Sequence, residues 1–195
     1  MQRLLLAIAF VLGLATCAGT DFEKGMAAYE RGDYATALKE WRPLAEQGNV
    51  DALRNLGFMY WTGQGVPQNY AEAAKWYRKA AEQGDVNAQN IIGGMYSFGQ
   101  GVPKDNAVAV KWISRAAEQG HAEAQRNLGT MYIQGQGVPV DFVQAHKWLS
   151  LSASRSSGKE YDYAVKTRDQ IEDVMTPAQI NEAEKLALEW LEKHK

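Results

Sequence analysis

The 195 residues carry 46% apolar and 23% charged side chains, ordinary usage for a folded soluble chain, so neither wholesale disorder nor a multi-span membrane protein fits. A formal charge of −2 leaves no basic surplus to neutralise phosphates, which argues against nucleic acid as a partner. With one cysteine the chain cannot close an internal disulfide.

At the start of the chain, Arg3 supplies one positive charge and Leu4 to Leu14 is an unbroken apolar run. Small residues and then the polar stretch Thr20-Asp21-Phe22-Glu23-Lys24 come after it. That order of charge, apolar core and small residues reads as a secretory signal over 1–19, too short for a comfortable membrane span. Leu14-Ala15-Thr16-Cys17 resembles the lipobox of bacterial lipoproteins, which makes Cys17 the candidate for lipid attachment. Thr16 departs from the Gly, Ala or Ser usual there, and cleavage after Cys17, Ala18 or Gly19 also satisfies the need for small residues. The expected location is periplasmic or secreted, with membrane contact only through that N-terminal anchor.

Residues 20–50 come next. Gly25, Ala28, Gly32-Asp33-Tyr34, Ala37-Leu38 and Trp41 resemble a plain tetratricopeptide unit with a short loop, and Leu44-Ala45-Glu46-Gln47-Gly48 then joins the register of the downstream copies. A terminal unit that departs from its neighbours is what a capping repeat looks like.

Laying the sequence over itself at an offset of 36 residues aligns three copies, 51–86, 87–122 and 123–158. Ala52, Leu56-Gly57, Tyr60, Gly63-Gln64-Gly65-Val66-Pro67, Ala73 and Lys75-Trp76 return as Ala88, Ile92-Gly93, Tyr96, Gly99-Gln100-Gly101-Val102-Pro103, Ala109 and Lys111-Trp112. They return again through Ala124, Leu128-Gly129, Tyr132, Gly135-Gln136-Gly137-Val138-Pro139, Ala145 and Lys147-Trp148. A fixed period of this size marks a solenoid. Apolar residues spaced by three and four on either side of Gly-x-Gly-Val-Pro predict two helices per copy, stopped by glycine and proline. The tryptophans at 41, 76, 112 and 148 are read as core.

The recurring positions resemble the Sel-1-like repeat family, a relative of the tetratricopeptide repeat. The resemblance implies an all-α fold, a right-handed α-solenoid superhelix of helix-turn-helix repeats with about ten helices. The third copy loses the ending that the first two carry as Ala80-Ala81-Glu82-Gln83-Gly84 and Ala116-Ala117-Glu118-Gln119-Gly120. Residues 159–195 then give a helical segment near 159–174 and a second one opened by Thr176-Pro177-Ala178-Gln179, the signature of a capping box. Ile180, Ala183, Ala187 and Trp190 form a stripe suited to covering the last repeat, so 159–195 reads as a C-terminal cap.

Chemistry-bearing motifs are few. The Gly-x-Gly loops lack the third glycine or Gly-Lys-Ser/Thr of a phosphate cradle and recur at repeat corners. His121, His146 and His194 have no second ligand at i+3 or i+4, so no metal or cofactor is expected. Ser156-x-x-Lys159 matches the serine-lysine pattern of penicillin-interacting enzymes, and some cysteine-rich members of the family are associated with β-lactam binding. Ser-Asp-Asn, Lys-Thr-Gly and the disulfides of those relatives are missing here. The chain is read as a non-enzymatic adaptor or scaffold, with a periplasmic cell-wall binder or β-lactamase-like hydrolase as the alternative.

The resemblance further implies that first helices line a concave groove for a protein or peptide. Aligned on Gly57, Gly93 and Gly129, the groove set includes Arg54, Phe58, Trp61, Asn90, Phe98, Arg126 and Thr130, positions that vary between copies while the core repeats. Trp61 stands out, because its equivalents are Ser97 and Ile133 and exposed aromatics beside arginine make interface hot spots.

Overall fold

The computed structural model describes residues 21–194; the expected leader, with Cys17, lies outside the described residues. No strand occurs among them. The helices are α1 (21–30), α2 (Tyr34–Glu46), α3 (Val50–Thr62), α4 (Tyr70–Glu82), α5 (Val86–Phe98), α6 (Asn106–Glu118), α7 (Ala122–Gln134), α8 (Phe142–Arg155), α9 (Gly158–Glu172) and α10 (Pro177–Lys193). The chain divides into two compact units between Gln83 and Gly84, α1–α4 in the first and α5–α10 in the second.

In the first unit α1 seats on α2 through Trp41. Gly25 lies so close to the indole that a Cβ there would collide with it, and Trp41 Nε1 donates to the Phe22 carbonyl at 3.2 Å. The α3–α4 pair then shows how one repeat is closed. Asn49 Oδ1 accepts the Ala52 N–H at 2.9 Å to start α3. Gly63, at φ +75°, ends α3 in the left-handed conformation that glycine reaches without penalty. The Asn69 N–H reaches back to the Tyr60 carbonyl at 2.9 Å, and its side chain caps α4. Between the helices Tyr77 packs on Gly57, where a Cβ would stand only 2.9 Å from the ring. Burial in that seat pushes the Tyr77 phenol pKa up, because the charged form would be stripped of water.

The second unit repeats this scheme twice. Asp85 and His121 cap α5 and α7, Asp105 and Asp141 cap α6 and α8, and Gly99 and Gly135 end the first helices at φ +71° and +65°. Ile113 packs on Gly93 and Leu149 on Gly129, again with no room for a Cβ. Beyond the repeats, Ala164 of α9 and Ala183 of α10 join Ala145 and Leu149 in one apolar cluster, while Ala187 and Trp190 join Ile113, Trp148 and Leu151 in another. Thr176 and Gln179 form the capping box at the start of α10: Thr176 Oγ1 accepts the Gln179 N–H at 3.3 Å and Gln179 Oε1 accepts the Thr176 N–H at 2.9 Å.

The tryptophans divide, which corrects one sequence expectation. Trp41 and Trp148 are core, at 1% and 3% exposure, but Trp76 and Trp112 are only half-buried. The residue that faces the first-helix glycine is the next one along, Tyr77 or Ile113, which turns the indole to the edge of the stripe. There the Lys79 ammonium and Arg115 guanidinium lie 4.7 and 4.6 Å from the two ring centroids.

Candidate functional site

Three of the expected groove residues, Arg54, Phe58 and Trp61, lie on α3. Phe58 is 43% exposed and stands at the mouth of a cavity of about 150 Å³ lined by Met26 and Tyr29 of α1, Trp41 of α2 and Asn55 of α3. Its walls are held in place. Tyr29 Oη donates to Gln64 Oε1 at 2.6 Å, Gln64 Nε2 donates to Tyr34 Oη at 3.2 Å, and the rings of Tyr29 and Trp41 lie 5.6 Å apart. Burial pushes the Tyr29 phenol pKa up, so the ring stays neutral and apolar in character. A hollow of aromatic rings, a thioether and one amide is suited to an apolar side chain. Arg54 lies one helical turn before Phe58 on α3, its guanidinium 2.6 Å from Asp51. Trp61 is half-buried and meets Tyr70 of its own repeat edge-on at 4.9 Å.

In the second unit Phe98 is 77% exposed and shares a cavity of about 330 Å³ with Arg126, Thr130, Asn127 and Tyr163. Arg126 is already engaged. Its Nε lies 2.9 Å from Glu160, its Nη2 lies 3.7 Å from Glu123, and its guanidinium lies over the Tyr163 ring at 5.1 Å. Thr130 Oγ1 donates to the Arg126 carbonyl at 3.1 Å. Asn90 is only 7% exposed, and its Oδ1 accepts from Asn127 Nδ2 at 3.1 Å, so the amide links α5 to α7 rather than facing outward. Sequence reading did not find Glu160 and Tyr163. They belong to α9, outside the 36-residue register, so no equivalent position announces them.

The serine motifs fare differently. Ser156 Oγ donates to the Ser152 carbonyl at 2.8 Å, and Lys159 is exposed in the first turn of α9. A serine, imidazole and carboxylate do fall in line elsewhere: Ser150 Oγ is 3.4 Å from His146 Nδ1, and His146 Nε2 is 2.7 Å from Glu172. Ser150 sits in the middle of α8, where backbone N–H groups are bonded within the helix and none faces a developing oxyanion. With His146 at 1% exposure, the set ties α8 to the end of α9 as a buried polar link. Among the described residues no group of three or more His, Cys, Asp or Glu could hold a metal ion, and no helix is long and apolar enough to cross a membrane.

Comparison with known families matches the Sel1 repeat over residues 50–85, 86–121 and 122–157. Each match begins one residue before the copies taken from the sequence offset. A solved Sel1 repeat protein from Oxalobacter formigenes is 29% identical, with TM-score 0.72 over 89% of this chain and 71% of that one. The protective antigen c5321 of uropathogenic Escherichia coli, described as displaying an SLR fold, is 30% identical with TM-score 0.54; the alignment covers 91% of this chain and 46% of the antigen's. No curated protein matches the chain.

Proposed function

The chain belongs to the Sel1 repeat family, whose members generally act as scaffolds in protein–protein interaction, and we propose that it is an exported adaptor holding a protein or peptide. The observation that carries this reading is the cavity behind Phe58. An aromatic ring left 43% exposed at the mouth of a hollow lined by Trp41, Tyr29 and Met26 is the arrangement in which a partner's apolar side chain becomes an interface anchor. Arg54, one turn before Phe58 on α3, adds a cation for a carboxylate on the same partner.

A photo-crosslinking residue placed at Phe58 in the native host is expected to trap a discrete protein, while the same residue at exposed Lys39 traps none. Absence of a specific adduct at Phe58 would end this reading. Once the partner is in hand, Arg54→Ala with Phe58→Ala should weaken capture by about 2 kcal/mol, the scale of hot-spot truncations, with the helical signal unchanged.

Export belongs to the same proposal and rests on the charge, apolar run and small residues of 1–19. Intact mass of the protein from its host is expected to lack the first residues. A diacylglycerol adduct abolished by Cys17→Ser would establish the lipid anchor, and an unprocessed Met1 would refute export.

A further inference from the structure

Trp190 of α10 shows what one surface of the second unit can hold. Its indole Nε1–H donates to Glu118 at 2.7 Å, and the Arg155 guanidinium lies 4.6 Å from the ring centroid. A Cβ placed on Gly120 would touch the far edge of the same ring at 3.7 Å. Glu118 is the last residue of α6 and Arg155 the last of α8, so the seat forms where two successive second helices end. Trp190 fills it and is left 6% exposed.

Two 36-residue repeats earlier, the residues that correspond to Glu118, Gly120 and Arg155 are Glu46, Gly48 and Gln83. All three line an open cavity of about 310 Å³ at the ends of α2 and α4, within the first unit. The correspondence extends to geometry. Glu46 is the last residue of α2, as Glu118 is of α6. Gln83 Nε2 lies 3.6 Å from a Cβ built on Gly48, as Arg155 Nε lies 3.4 Å from one built on Gly120, and both glycines have positive φ.

We propose that this cavity is a second docking site, distinct from the hollow behind Phe58, and that its occupant is the tryptophan of an amphipathic helix in a partner protein, seated as Trp190 is. The carboxylate of Glu46 takes the indole N–H, and Gln83 lies against the ring face. The open seat differs from the filled one at Leu53, Lys79, Glu82 and Gln83, which stand where the second unit has Gln125, Leu151, Ser154 and Arg155. Lys79 lines the cavity where the filled seat has Leu151, which packs beside Leu188 and Leu191 of α10.

The chain supplies its own probe, a fluorescently labelled peptide of residues 177–194, titrated against the full protein and read by anisotropy. The expected result is saturable binding that weakens at least tenfold when the peptide carries Trp190→Ala and when the protein carries Glu46→Lys. Glu46 is exposed, so the variant keeps its helical signal, and Gln83→Tyr provides a second block from the opposite wall. Peptide that exchanges with the resident α10 would bind irrespective of Glu46→Lys and Gln83→Tyr; that outcome, or no saturable binding, overturns the proposal.

Discussion

Trp112 and Trp148 occupy the same position in successive repeats of the second unit, yet one is half-buried and the other 3% exposed. Their own repeats do not account for this, since each tryptophan precedes a residue that packs on a first-helix glycine, Ile113 on Gly93 and Leu149 on Gly129. The cause lies outside the repeats. α10 brings Trp190 edge-on to Trp148, 6.4 Å between centroids, and adds Ala187 to the same cluster. A repeat position therefore fixes the direction in which a side chain points, and the element that packs against it next decides whether the side chain becomes core.

That contrast can be broken by substitution. In urea unfolding of the full chain, Trp148→Ala is expected to cost about 3–5 kcal/mol, the range for a buried tryptophan cavity. Trp112→Ala is expected to cost about 1–2 kcal/mol, because part of its area is never removed from water. Equal losses at the two positions would show that α10 does not create the difference. A double-mutant cycle sharpens the same point: Trp148→Ala in a Trp190→Ala background should reveal a coupling of about 1 kcal/mol, and strict additivity would contradict the edge-on contact. Thr176→Ala removes the capping box that starts α10 and should cost about 1 kcal/mol, seen as earlier fraying of the C-terminal helix in circular dichroism. Smallest of all, Arg115→Ala should cost about 0.5 kcal/mol by loosening an exposed cation over Trp112; a larger loss would mean that this indole is more enclosed than its exposure indicates.

What the sequence makes legible is whatever local backbone chemistry dictates. The 36-residue period, the glycine ends of α3, α5 and α7 and the box at Thr176 can all be read from residue type and spacing, because each depends on local backbone chemistry. The choice between Trp76 and Tyr77 as the core residue could not be read in this way. Neighbouring positions on a helix differ by about 100°, so both lie on the apolar stripe until the facing Gly57 selects one. Asn90 illustrates a second limit. It shares its position with Arg54 and Arg126, but the amide of Asn127 draws it inward, and that pairing has no counterpart at the other two copies. Arg126 illustrates a third, since Glu160 reaches it from a helix that belongs to no repeat.

The loop that joins the two helices of each repeat carries a further consequence. In all three copies one backbone hydrogen bond crosses it, from Asn69 to the Tyr60 carbonyl at 2.9 Å, from Asp105 to Tyr96 at 2.9 Å and from Asp141 to Tyr132 at 3.1 Å. An amide bonded across a loop can lose its proton to solvent only when the helices on both sides open together. In deuterium exchange, Asn69, Asp105 and Asp141 should therefore be among the slowest loop amides, each one reporting the opening of a whole repeat.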